Sequence, residues 1–391
     1  MHRDIVIVGG GAIGSGIASF LVADPAFRGA VTVVERDPTY SQASSALSAS
    51  SIRQQFSTPV NIDLSRFGIE FLRTIGERLA VDGERPNVGL VENGYLFLAS
   101  AEGSAALREN HALQRAHGVD VELLEADALR RRFGWLSTEG VACGAFGVRG
   151  EGWFDGYSLL QAFRRHARSR GVRYVHAQAC GFDTEGARIV DVQLDNGERI
   201  AADAFVNAAG PWAADVAAWV GVDLPVRARR RCVFGFQCAT PIVPCPLVID
   251  PGGTWFRPEG RDRFICGTSP DAANDPDGLP LDVEHALFEA LLWPSLANRV
   301  PAFEALRPLE AWAGYYEYNT FDQNGIVGSH PHWANLFFAN GFSGHGLQQA
   351  PAVGRAIAEL LVHGRYVSLD LAPLRFERMA EQRPLVERNV V

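Results

Sequence analysis

The sequence predicts an α/β fold: a parallel sheet with helices on both faces, joined to a β-rich α+β unit inserted discontinuously. Three observations carry this. A short apolar run near the start of the chain leads straight into a glycine-rich turn and a helix. A second apolar run follows and ends on a carboxylate. Far along the chain, another apolar run leads into a second glycine-rich turn and helix.

The first run is Asp4-Ile5-Val6-Ile7-Val8, continuous in apolar side chains as a strand buried on both faces should be. Gly9-Gly10-Gly11-Ala12-Ile13-Gly14 follows, then a helical stretch from Ser15 to Val22. Gly9, Gly11 and Gly14 fit the G-x-G-x-x-G spacing: a tight turn, close backbone approach to a pyrophosphate, and packing of helix on strand. Ala12 and Ile13 sit at the helix start, whose partial positive charge would face the phosphates. The second strand, Val31-Thr32-Val33-Val34, ends in Glu35, where a carboxylate would grip a ribose hydroxyl. A phosphate on that ribose would be repelled by Glu35, which disfavours NADP, although Arg36 softens the point. This segment alone does not separate FAD from NAD.

Two distant segments read as further walls of the same site. Ala204-Phe205-Val206-Asn207-Ala208-Ala209-Gly210 is a strand running into small residues, where backbone can approach a nucleotide. Leu336-Phe337-Phe338-Ala339 leads into Gly341-Phe342-Ser343-Gly344-His345-Gly346 and a helix rich in small residues, Ala352 to Leu361. A second glycine-rich turn at a helix start adds backbone N–H donors for a polar or anionic ligand. A cofactor contacted from Gly9 to Gly346 is a long one, enclosed by the fold.

Together these segments resemble the glycine/D-amino-acid oxidase superfamily of flavoproteins, within it the monomeric sarcosine oxidase and dimethylglycine dehydrogenase group. The carrying residues are Gly9 to Gly14 with Glu35, Ala43-Ser44-Ser45-Ala46 followed by Ile52-Arg53, Asn207 to Gly210 with Trp212, and Gly341 to Gly346. The stretch from Trp312 to Gly325 is similar to a subgroup that includes a mitochondrial complex I assembly factor. The resemblance implies a Rossmann-type domain holding FAD. It marks as cofactor contacts Gly9, Gly11, Ala12, Ile13, Gly14, Glu35, Arg36, Ser44, Ser45, Ser48, Ala179, Cys180, Ala208, Gly210, Trp212, Gly341, Phe342, Gly344, His345, Gly346, Leu347 and Gln348.

A chain of 391 residues exceeds one ordinary core. The expected division is 1–88, 150–224 and 322–391 for the FAD-binding domain, with 89–149 and 225–321 for the substrate domain. Within it, Asp195-Asn196-Gly197 between Ile189–Leu194 and Arg199–Ala202 is a hairpin signal suited to a type I′ turn. The formal charge of −9 argues against a nucleic-acid partner. The run Arg227, Arg229, Arg230, Arg231 is the exception; it reads as a solvated face, with an anion or partner contact as the alternative. Six scattered cysteines give no zinc or iron–sulfur spacing, so no metal is expected, and nothing demands disulfides. No apolar run reaches about 18 residues, so no membrane-spanning helix is expected. With a strand beginning by Ile5, the expectation is a cytoplasmic protein.

Oxidation of an amine on FAD needs a neutral substrate nitrogen, its α-carbon facing the flavin, and exclusion of water. The flavin carries the hard step, and protein groups orient the substrate. The resemblance places Arg53 as the anchor for a substrate carboxylate, through a bidentate guanidinium fork. It places Tyr316 as the active-site tyrosine once one extra residue is allowed, with Tyr315 and Tyr318 as competitors. His345 bears on the ring or substrate, or instead makes a structural hydrogen bond. Trp255 caps the pocket or packs in the core.

Three departures from the family pattern matter. Gly314 stands where sarcosine-oxidase-type members attach flavin through cysteine, so non-covalent FAD is expected. Gln348 stands where the family has a carboxylate-holding lysine. Ile265 aligns loosely with the lysine that promotes reaction with oxygen, which favours a dehydrogenase over an oxidase. The leading function is oxidation of the C–N bond of an N-alkyl, cyclic or D-amino acid, with hydride passing to flavin and the imine hydrolysing. The alternatives are a flavin-binding partner or assembly protein without turnover, and a 2-hydroxy acid dehydrogenase that would need His345 as base. The electron acceptor (oxygen, a quinone or an electron-transfer protein), the oligomeric state and the substrate are left open by the sequence.

Overall fold

The computed structural model describes residues 3–271 and 274–388. The run Ile5–Val8 forms a fully buried strand at the centre of a six-stranded sheet. Its parallel neighbours are Val31–Glu35 and Ala204–Asn207, in register from Ile5↔Val31 and Ile5↔Ala204. Arg173–His176 extends the sheet beyond Val31–Glu35, and Leu336–Asn340 extends it beyond Ala204–Asn207, both parallel. Ile326–Ser329 closes that edge as the antiparallel strand.

One face of this sheet is covered by helices Ala12–Ala23, Gly156–Ser169 and Gly346–His363, which share a core with Ile5, Ile7 and Val33. The other face is covered mainly by a three-stranded meander, Ala179–Glu185, Arg188–Leu194 and Arg199–Ala201, with the short helix Ala213–Ala218. That second covering is thinner in helix than the sequence suggests, because side chains such as Phe182, Ile189 and Val192 already bury Val6 and Val8 from a strand layer.

The hairpin at Asp195-Asn196-Gly197 forms, with Gln193 opposite Arg199. Its turn is not type I′. Gly197 is at φ +85° while Asn196 is not at positive φ, and the Gly197 N–H donates to the Leu194 carbonyl. This is the three-residue loop in which a type I turn is followed by a left-handed glycine.

The second layer is an eight-stranded sheet, in the order Arg307–Asn319, Val226–Gln237, Arg263–Gly267, Trp255–Pro258, Leu247–Ile249, Tyr95–Ala99, Cys143–Gly147, Val121–Glu125. Its two longest strands pair antiparallel from Val226↔Asn319 to Gln237↔Arg307, with a register shift between Phe234 and Phe236. A phenylalanine cluster consolidates one side: the Phe236 ring lies 4.9 Å from Phe303 edge-on and 5.3 Å from Phe264 stacked. Such pairs add about 0.5–1.5 kcal/mol beyond the area they bury. Among the described residues no helix is long and apolar enough to cross a membrane.

Candidate active site

The glycine turn after the first strand is dictated by contact. Gly9 is at φ +101°, and a Cβ there would lie 2.3 Å from the Ala208 carbonyl oxygen. A Cβ on Gly14 would lie 1.9 Å from the Gly9 carbonyl oxygen, so the helix can sit against the turn only with glycine. Gly14 therefore packs the element and does not line the cavity, whereas Gly9, Gly11, Ala12 and Ile13 do.

That cavity has a volume of about 300 Å³ and runs from the end of Val31–Glu35 to the long strands of the second sheet. At its first end Glu35 is held by two backbone N–H groups: Gly10 donates to Oε2 at 2.8 Å and Asp37 to Oε1 at 2.9 Å. Burial nevertheless raises its pKa, because those two donors and Arg36 do not offset the lost hydration. The Arg36 guanidinium lies 3.6 Å over the Trp212 ring, and both line the wall. Ala179, Ala208, Gly210, Ser44, Ser45 and Ser48 line it too.

Two observations test whether this end fits FAD. Tyr40 Oη and Ser44 Oγ are buried on the cavity wall without a hydrogen-bond partner, a costly state that a ligand's polar groups would relieve. The helix Ala12–Ala23 begins after Gly11, which has no side chain to cap it; the Ala12 N–H makes a long 3.4 Å bond to Ser45 Oγ, and the N-terminus faces the same wall. Glu35 would hold a ribose and the Gly9–Ile13 turn a pyrophosphate; the residues fit the group.

At the far end, Tyr315, Tyr316, Glu317, Arg231, Cys232, Trp255, Thr268 and Ser269 line the cavity together with Gly344, Gly346, Leu347 and Gln348. Tyr316 is fixed by contact with the glycine turn, since a Cβ on Gly344 would fall 2.4 Å from its ring. Tyr315 donates to the Leu279 carbonyl at 2.8 Å and meets Trp212 edge-on, while Tyr318 lies under Arg229 away from the wall.

Arg53 is not among the residues that line the cavity, although its charge acts on Tyr316, which does. It is buried behind the wall, with its guanidinium 4.3 Å from the Phe56 ring centroid and donating to the Gln55 carbonyl. Its Nη2 also donates to His345 Nε2 at 2.7 Å, and its backbone N–H donates to Gln348 Oε1 at 2.9 Å. An arginine cannot accept, so His345 is neutral with its proton on Nδ1. Burial, then the adjacent Arg53 charge, holds the His345 pKa well below its ordinary value. His345 thus turns away from the cavity although the glycines on both sides line it. The same holds for Gly341 and the buried Phe342, which build the turn. Cys180 is exposed and donates to the Gln193 carbonyl, because it follows Ala179 in a strand and points to the other face.

Three residues were not singled out from sequence. Arg231 is the cation beside Tyr316, 5.0 Å from the ring centroid, in a bidentate pair with Asp275 at 2.8 Å on both arms. Glu317 and Glu151 are buried carboxyls whose pKa values burial pushes up to about 8 and about 7. Glu151 accepts the backbone N–H groups of Gln54 and Gln55, and so shapes the loop that carries Arg53. The signal for Arg231 lay in the arginine run, read as a solvated face; its side chain is instead buried in an ion pair with Asp275 of the same chain. The chain contains no lysine, so neither lysine of the family pattern has a substitute of its own kind. Ile265 is core, opposite Gly235.

The model of the family described as FAD dependent oxidoreductase, DAO, matches residues 4–360. FAD-dependent oxidoreductase domain-containing protein 1 of Xenopus laevis is 46% identical over 424 residues, covering 100% of this chain and 85% of the relative. Glycine oxidase of Geobacillus kaustophilus is 29% identical over 397 residues, covering 96% and 97%. The solved L-proline dehydrogenase from P. horikoshii shares the fold, with a TM-score of 0.86 at 24% identity over 98% of this chain and 99% of that one. The chain belongs to the DAO family of FAD-dependent oxidoreductases.

Proposed function

We propose that the protein oxidises the C–N bond of a small amine or amino acid, with non-covalent FAD as the acceptor of the hydride. The observation that carries this reading is the single cavity joining the Glu35 end to an aromatic, cation-bearing end at Tyr316, Trp255 and Arg231. The likeness to a glycine oxidase supports the amine class. FAD, when bound, supplies the electron-pair acceptor.

The chain's own residues position the substrate. Tyr316 and Trp255 enclose it and exclude water. Arg231 takes a substrate carboxylate in exchange for part of its pairing with Asp275. Arg53 acts from behind the wall, as a positioning residue that fixes Gln348 and His345. A 2-hydroxy acid is the weaker substrate class, because His345, its one candidate base, is held by Arg53 away from the cavity. Slow reaction with oxygen is expected: the chain has no lysine, and Arg231 is neutralised by Asp275.

Mixing the reduced, substrate-bleached protein with air tests the acceptor; rapid recovery of the oxidised spectrum would make it an oxidase. Acid precipitation tests attachment. FAD is expected in the supernatant, and FAD in the pellet would point to Cys232, the cysteine that lines the cavity. A protein that binds FAD but is bleached by no amine would favour a partner-binding role.

A further inference from the structure

Glu317 is the acidic group of the far wall, and its surroundings are unusual for a carboxylate. It sits in the strand Arg307–Asn319, where Oε2 accepts the Gly341 N–H at 3.2 Å and its backbone carbonyl accepts the Ser343 N–H at 3.0 Å. Its Oε1 lies 3.0 Å from where a Cβ on Gly346 would stand, at the start of the 18-residue helix Gly346–His363. On the other side Oε2 is 3.9 Å from the corresponding position at Gly210. Two bare glycines on the cavity wall, from opposite segments, thus converge on one buried carboxyl.

The groups around it leave the charge uncompensated. Ala228 opposes Glu317 in the neighbouring strand; Arg227 and Arg229 flank Ala228 but pair with Tyr318 and Tyr316 in register and bond acids of the 275–277 segment. The glycine turn contributes His345, held neutral, and the Gly210–Trp212 turn contributes no titratable side chain. On its own strand the neighbours are Tyr315, Tyr316 and Tyr318. Burial raises the pKa of the carboxyl, the backbone N–H groups of Gly341 and Phe342 oppose it only in part, and no cation contributes. A buried acid without a counter-ion keeps its proton.

We propose that Glu317 works as a neutral acid that donates a hydrogen bond to FAD between Gly210 and Gly346, so that cofactor retention depends on its protonation. An ionised carboxylate there cannot donate, and it opposes an acceptor atom of the cofactor. The inference rests on FAD binding and is independent of which substrate is oxidised.

The test is FAD release from the full-length holoprotein, read as free flavin after ultrafiltration between pH 6 and 10. If only the protonated form binds well, Kd is flat to about pH 7, rises about fivefold between pH 8 and 9, and about tenfold more by pH 10. E317Q keeps a neutral donor, so its Kd stays flat across the range and within about threefold of wild type at pH 7. A flat wild-type profile overturns the proposal without any variant, and an E317Q profile as steep as wild type overturns it as well. An amine that bleaches the flavin while the wild-type profile is flat would keep the proposed function and remove this role. The pH profile without any bleaching would do the reverse.

Discussion

The two ends of the cavity are built in opposite ways. The Glu35 end is built around one contiguous strand–turn–helix–strand unit, in which Gly9, Gly11, Ala12, Ile13 and Glu35 fall within one short stretch of chain, with Ser44, Ala179, Ala208 and Gly210 completing its wall. The Tyr316 end is assembled from five separated strands and turns, through Arg231, Trp255, Thr268, Tyr316 and Gly344. A local unit is set by backbone geometry and tolerates little change. A wall assembled at long range is set by side chains, so it is where specificity can vary without loss of the cofactor.

The largest effect should come from the backbone-limited end. Gly9→Val combines a positive φ with a clash against the Ala208 carbonyl. The variant should purify colourless, with FAD affinity at least about a hundredfold weaker. A yellow Gly9→Val protein would break the contrast outright. Next, Arg231→Met should raise KM for a carboxylated amine about ten- to thirtyfold, equivalent to about 1.5–2 kcal/mol, while FAD content stays unchanged. Flavin loss in that variant would show that Arg231 serves the cofactor instead. Glu35→Ala should weaken FAD about tenfold, roughly 1.4 kcal/mol, without changing substrate preference in protein saturated with FAD.

The smallest effect concerns pH and stability. Glu151 binds its proton more tightly folded than unfolded, since burial raises its pKa from the ordinary carboxylate range to about 7. Its contribution is therefore full at pH 4 and is lost as pH rises towards 7. Glu151→Gln should reduce the fall in Tm between pH 5 and pH 8 by a few degrees; an unchanged difference would mean the buried carboxyl is not what titrates.

The same contrast explains what the sequence disclosed. The parallel sheet, the glycine turn and the Ala208–Gly210 segment are legible because each is specified by residues adjacent in the chain. Tyr316 reached the wall because a resemblance pointed to it. Arg53 and His345 are in the right segments, but side-chain direction is decided by distant partners: their mutual hydrogen bond spans 292 positions. Arg231 looked like one of a solvated run because its partner, Asp275, lies 44 positions on. Glu317 and Glu151 carried no local mark, since what makes them unusual is burial, which no cation offsets at Glu317 and which the Arg53 charge offsets only in part at Glu151.

The central claim is that the Tyr316 end receives an amine whose oxidation reduces FAD. The direct measurement is the visible flavin absorbance of the purified protein, mixed anaerobically with N-methyl amino acids, proline-like imino acids, D-amino acids and hydroxy acids. The account predicts bleaching by one amine class and none by hydroxy acids. Bleaching by hydroxy acids alone would contradict it.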